Sequence, residues 1–105
     1  MDPTTAYERR EELVFLDVRE VDEWKAGHIE GSLHIPMGEL AARQDEIPRD
    51  RPIVAVCRTG RRSDAVTHAL VRAGYDAENL VGGVAEWTGV GLHLVDDDGN
   101  PGTVA

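Results

Sequence analysis

The stretch Ile53-Val54-Ala55-Val56-Cys57-Arg58-Thr59-Gly60-Arg61-Arg62-Ser63 decides how this chain is read. Four apolar residues, three of them β-branched, predict a buried strand. That strand delivers the only cysteine of the chain into a glycine-containing loop, and an amphipathic segment follows at once. A strand, a tight loop and a helix N-terminus gather amide N–H groups around one point, with the positive partial charge of the first helical turn behind them. A free cysteine with a pKa near 8.5 is only about 3% ionised at pH 7, and such surroundings can bring it to roughly 3.5–7.5. A drop of about two pH units corresponds to about 2.7 kcal/mol of preference for the anion. A lone cysteine at a strand end is ordinarily a small packing residue. Packing does not explain Arg58, Arg61 and Arg62 clustered beside it, and Gly60 supplies the backbone freedom that a ring of amides requires. Cys57 is therefore the candidate nucleophile.

Downstream, Val66, Ala69, Leu70 and Ala73 fall at the i, i+3, i+4, i+7 spacing of a helix with one buried face. Ser63 is its expected N-cap and Gly74 its stop. Upstream, Asp2-Pro3 predicts a helix start running through about Glu12. Leu13 to Val18 reads as a strand covered on both faces, Glu20 to Ala26 as a helical turn closed by Gly27, and Ser32 to Ile35 as a short strand stopped by Pro36. A polar helix is expected over Glu39 to Glu46. The last strand, Glu78 to Val81, leads through Gly82-Gly83 into a helical turn bearing Trp87. Trp24 and Trp87 follow helical spacing with Val21 and Val84, which predicts core positions. Helices alternating with short apolar strands give an α/β fold: a central parallel sheet of four to five short strands with helices on both faces. Reactive groups in such sheets lie at the carboxyl ends of the strands, where Cys57 is placed.

At 105 residues the chain fits one domain, expected over residues 1–95, with 96–105 as a flexible acidic tail around Asp96-Asp97-Asp98. A net charge of −9, with 20 acidic against 11 basic residues, argues against nucleic-acid or anionic-membrane partners. No apolar run approaches the roughly 20 residues of a membrane span. The N-terminus lacks the pattern of a signal peptide, and a single cysteine forms no internal disulfide, so the cytoplasm is the expected location. His28, His34, His68 and His93 show no metal-ligand spacing, so neither a metal nor another cofactor is expected.

Four segments in order resemble single-domain rhodaneses, the sulfurtransferase family. They are Leu16-Asp17-Val18-Arg19 with Glu23-Trp24; Gly27-His28-Ile29-Glu30-Gly31-Ser32 leading to Ile35-Pro36; Cys57 to Ser63; and Leu80-Val81-Gly82-Gly83 with Trp87. Position His93 departs from the family, which commonly has proline there. The resemblance implies a sulfurtransferase that takes sulfane sulfur from a small anionic donor such as thiosulfate, holds it as a Cys57 persulfide, and passes it to a thiol, cyanide or a protein acceptor. It further implies that the amides of Arg58, Thr59, Gly60, Arg61, Arg62 and Ser63 cradle the persulfide and that Arg58 and Arg61 attract the donor. Arg62 either faces substrate or turns inward to pair with Asp17, while Asp17 and Arg19 support the loop. A monomer or weak dimer is expected. Two rivals remain: a non-catalytic, regulatory or sulfur-carrier module on the same fold, and a cysteine phosphatase or arsenate reductase. The latter requires arginine six residues after the cysteine, where this chain has Ser63.

Overall fold

The computed structural model describes Met1–Ala105. Four strands, β1 (Val14–Asp17), β2 (Leu33–His34), β3 (Ile53–Val56) and β4 (Ala77–Asn79), alternate with the helices α1 (Pro3–Glu8), α2 (Val21–Ala26), α3 (Arg61–Arg72) and α4 (Gly83–Gly89). The strands form one parallel sheet in the order β2-β1-β3-β4, the α/β architecture that the sequence predicts.

The two-residue period of the strands divides the core. Phe15, Val54 and Val56 point to one face, against Ala6 of α1 and Val84 and Trp87 of α4. Leu16, Ile53, Ala55 and Cys57 point to the other, against Val66 and Leu70 of α3. Full burial of each such aliphatic side chain stabilises the fold by about 1.5–3 kcal/mol. Trp87 meets Phe15 and Tyr7 edge-to-face, with ring centroids 5.7 and 6.0 Å away, and its indole N–H donates to the His93 carbonyl. It is a core residue as predicted. Trp24 is not: it is half-buried, and its ring stacks on His28 (3.6 Å) and His34 (4.6 Å).

From β1 the chain crosses to β2 on one side, and from β3 it crosses to β4 on the other. The carboxyl ends of β1 and β3 therefore flank the point where the winding reverses, the usual crevice of open α/β sheets. The Val18 N–H donates to the Val56 carbonyl at 3.0 Å, which sets the Asp17–Arg19 segment directly beside Cys57.

Several predicted boundaries are corrected. Helix α1 starts on its Asp2 cap but ends at Glu8, before a charged run, Arg9 to Glu12, that buries nothing. Two acidic residues, Glu11 and Glu12, would also meet the negative end of a longer helix. The expected helix over 39–46 is two 3₁₀ turns, Met37–Glu39 and Gln44–Glu46. Within this segment only Leu40 packs against the core, with Ile47 just beyond it, and a helix this short is marginal without such packing. Arg43 bridges the two turns through Glu39 and Glu46.

The acidic end expected to hang free turns back onto the domain. Asp96 accepts the backbone N–H groups of Asp98 and Asn100, which closes a turn. Gly102 N–H then donates to the Leu94 carbonyl and Thr103 N–H to that of Ala26. Thr103 backbone occupies the space where a Cβ on Gly27 would stand, so the missing side chain there serves close approach of two segments. The sequence shows only the charge of this tail, whereas its docking depends on backbone groups that any residue carries.

Candidate active site

Cys57 follows the last residue of β3, and the loop after it is set by Gly60, whose φ of +98° suits glycine. Gly60 is also the N-cap of α3, which begins at Arg61, so the cap lies three residues earlier than the sequence predicts. Ser63 is therefore no cap. It lies inside the first helical turn, fully buried, and its hydroxyl is free to face the sulfur.

Three donors converge on the Cys57 sulfur: the Gly60 N–H at 3.1 Å, the Ser63 Oγ–H at 3.2 Å and the Ser63 N–H at 3.4 Å. Burial, at 1% exposure, pushes the thiol pKa up; the Ser63 hydroxyl and the amides of Ser63, Gly60 and Thr59 pull it down, and the net direction is downward. The strongest groups that favour the anion are thus peptide dipoles and one hydroxyl, with a weaker Coulombic attraction from Arg62. None of the three arginine side chains hydrogen-bonds the sulfur. Arg58 donates through Nε to the Ala105 carbonyl at 2.9 Å, and Arg61 is exposed without a hydrogen-bond partner.

Arg62 neither faces the loop centre nor reaches Asp17. It grips Glu23 of α2 with two parallel hydrogen bonds of 2.8 Å. Those bonds hold the Glu23 carboxyl at about 2, against the opposing effect of its burial. Asp17 is taken by Arg19, two positions along and so on the same side of the chain. Arg19 donates to it from Nε (2.9 and 3.1 Å), from Nη2 (2.8 Å) and from its backbone N–H (3.1 Å). Both side chains are buried, and Nη2 also reaches the Gly27 carbonyl. The pair ties the end of β1 to the end of α2, beside the cysteine loop.

Two contributors escaped the sequence reading. Asn79, at the end of β4, accepts the Ser63 hydroxyl at 2.6 Å and donates to the Gly60 carbonyl at 2.9 Å. Gly83 lets α4 press against the loop: the Val84 and Ala85 N–H groups donate to the Cys57 and Arg58 carbonyls at 2.9 and 3.0 Å. The double glycine Gly82-Gly83 hinted at a close approach, but nothing local marked Asn79. No group of three or more His, Cys, Asp or Glu stands in metal-binding proximity, and no helix is long and apolar enough to cross a membrane.

A family model described as the rhodanese-like domain matches residues 2–89. A protein named sulfurtransferase from Allochromatium vinosum is 37% identical over 90 residues, covering 85% of this chain and 84% of that protein. The HTH-type transcriptional regulator Rv0324 of Mycobacterium tuberculosis is 43% identical over 98 residues, covering 89% of this chain; the match spans only 42% of the regulator. Among solved structures, a rhodanese-related protein from Thermoplasma volcanium superposes with a TM-score of 0.88 at 30% identity, covering 90% of this chain and 95% of that one. A cysteine at the reversal point of a parallel sheet, ringed by its own loop amides, and a family match across most of the sequence lead to one assignment: this chain belongs to the rhodanese-like domain family, whose members include sulfurtransferases.

Proposed function

We propose that the protein moves sulfane sulfur through a persulfide on Cys57. The observation that carries this reading is the convergence of three hydrogen-bond donors on one buried sulfur. In the first step the Cys57 thiolate attacks the outer sulfur of thiosulfate. The new S–S bond forms as the old one breaks, sulfite leaves with the bonding pair, and the negative charge passes to the outer sulfur of the persulfide. In the second step cyanide or a thiolate attacks that outer sulfur, leaves as thiocyanate or a new persulfide, and returns the thiolate. Two displacements on one enzyme sulfur give ping-pong kinetics.

The site favours a slim electrophile. With Cys57 1% exposed, a donor reaches it with one terminal atom at the floor of the loop. Arg61, exposed and unpaired at the rim, supplies local attraction for an anion within a chain of net charge −9. That attraction acts over a Debye length of about 10 Å at 0.1 M salt, so donor capture weakens as salt rises. The phosphatase reading is disfavoured because Ser63 stands where a phosphate-gripping arginine is needed, and Arg62 is engaged by Glu23. A cytoplasmic location and a small-molecule or protein thiol as acceptor accompany the proposal.

The test is intact mass after treatment with thiosulfate. One added sulfur, removable by cyanide or a thiol and absent from Cys57→Ala, is the expected result. An unchanged mass across a range of sulfane donors overturns the proposal.

A further inference from the structure

We infer that Asn79 is a positioning residue of the thiol site, its carboxamide sharing the single Ser63 hydroxyl proton with the Cys57 sulfur. The inference rests on Cys57 as the sulfur carrier and names a residue outside the cysteine loop that governs it. The orientation of the amide follows from its partners. A carbonyl accepts only, so the group facing the Gly60 oxygen at 2.9 Å is Nδ2 and the group facing Ser63 at 2.6 Å is Oδ1. The Ser63 hydroxyl has one proton and two acceptors within reach, Oδ1 at 2.6 Å and Sγ at 3.2 Å.

The charge on sulfur decides between them. In the neutral thiol, S–H donates to the Ser63 oxygen and the Ser63 proton goes to Asn79, so every donor is used. In the thiolate, the hydroxyl swings to the anion, because a hydrogen bond to a charged acceptor is the stronger one. Asn79 Oδ1 then loses its donor. Once the persulfide forms, the charge moves to the outer sulfur, the inner sulfur becomes a weak acceptor, and the hydroxyl returns to Asn79. The hydroxyl proton thus faces Sγ only while that atom carries the charge, and Asn79 opposes ionisation by offering a competing acceptor. Of the charges nearest the loop, Arg62 is paired with Glu23 and Asp17 with Arg19, the Met1 ammonium sits on the Asn79 backbone carbonyl at 2.8 Å beside Glu78, and Arg58 and Arg61 have no carboxylate partner. They are common to every variant below.

A merely structural clip, holding the Gly60 carbonyl so that the loop amides face sulfur, gives the opposite sign. The test is the pH dependence of iodoacetamide alkylation at Cys57, the only thiol in the chain, measured for four proteins. Removing the competing acceptor in Asn79→Ala should raise the acid dissociation constant of the thiol about three- to tenfold. Ser63→Ala should lower it by about tenfold or more, since a bond to the charged form is lost. In the double variant Asn79→Ala adds nothing to Ser63→Ala, because the shared proton is gone. A dissociation constant that falls or stays unchanged in Asn79→Ala, or that shifts when Asn79→Ala is added to Ser63→Ala, overturns the inference. Asn79→Leu, of similar volume, replaces the alanine variant if that one does not fold. Alkylation needs no sulfur donor. Failure of persulfide formation with these shifts intact therefore refutes the proposed function alone, while the reverse outcome refutes only the role of Asn79.

Discussion

Replacing Gly83 by alanine tests how tightly α4 clamps the cysteine loop. Gly83 has φ of +60°, and an added Cβ would fall inside contact distance of the Cys57 carbonyl oxygen and stand 2.5 Å from that of Arg58. Left-handed backbone costs a non-glycine residue roughly 1–2 kcal/mol by itself. The two crowded oxygens are the ones that accept the Val84 and Ala85 N–H groups, so relief of the clash stretches both bonds. Each contributes about 0.5–1.5 kcal/mol, which brings the total loss to roughly 2–5 kcal/mol. At about 4–8 °C per kcal/mol for a domain near this size, the midpoint of thermal unfolding should fall by roughly 8–40 °C. Gly31→Ala is the matched control: its φ is +80° and nothing lies within 4 Å of the added carbon. It should lose only the left-handed increment. Melting followed by circular dichroism measures both. Equal losses in the two variants would show that α4 does not press on the loop.

Acid stability should carry the signature of Glu23. Its carboxyl is lowered from 4.5 to about 2 by the Arg62 hydrogen bonds, so its stabilisation is complete above pH 4.5 and disappears as pH falls towards 2. That interval corresponds to at most about 3 kcal/mol, and solvent screening reduces it to about 1–2 kcal/mol, since the Arg62 side chain is 38% exposed. Urea titrations of Glu23→Gln should therefore show a flatter dependence between pH 4.5 and 2 than the parent; parallel curves would refute the pairing. Asp17→Ala leaves the fully buried Arg19 guanidinium without its counter-charge, and a loss of about 3–5 kcal/mol is expected in chemical denaturation. A loss below about 1 kcal/mol would mean that this pair does not hold the end of β1.

The cysteine loop was legible because its determinants are local. Ile53 to Val56 had to be a strand, Gly60 had to turn, and the Val66–Leu70 spacing had to be helical, so the sulfur had to meet a ring of amides. The helix start was misplaced because Ser63 has the chemistry of a cap, and only the positive φ at Gly60 shows that the cap lies three residues earlier. The segment 39–46, expected to be a polar helix, forms two 3₁₀ turns because too little of so short a segment packs.

The order of side-chain types along the chain was enough to determine the alternation of strands and helices, the position of Cys57 at a strand end and the reach of its own loop, since these follow from backbone geometry over a few residues. Tertiary structure alone decided who pairs with whom across the sheet. It gave Arg62 to Glu23, brought Asn79 from β4 onto Ser63, and laid the backbone of Thr103 against Gly27. The sequence left Arg62 between substrate and Asp17, and Ser63 with many possible acceptors. Strand order and the direction of each crossover bring one partner within hydrogen-bond range, and that distance is not encoded in any short stretch of sequence.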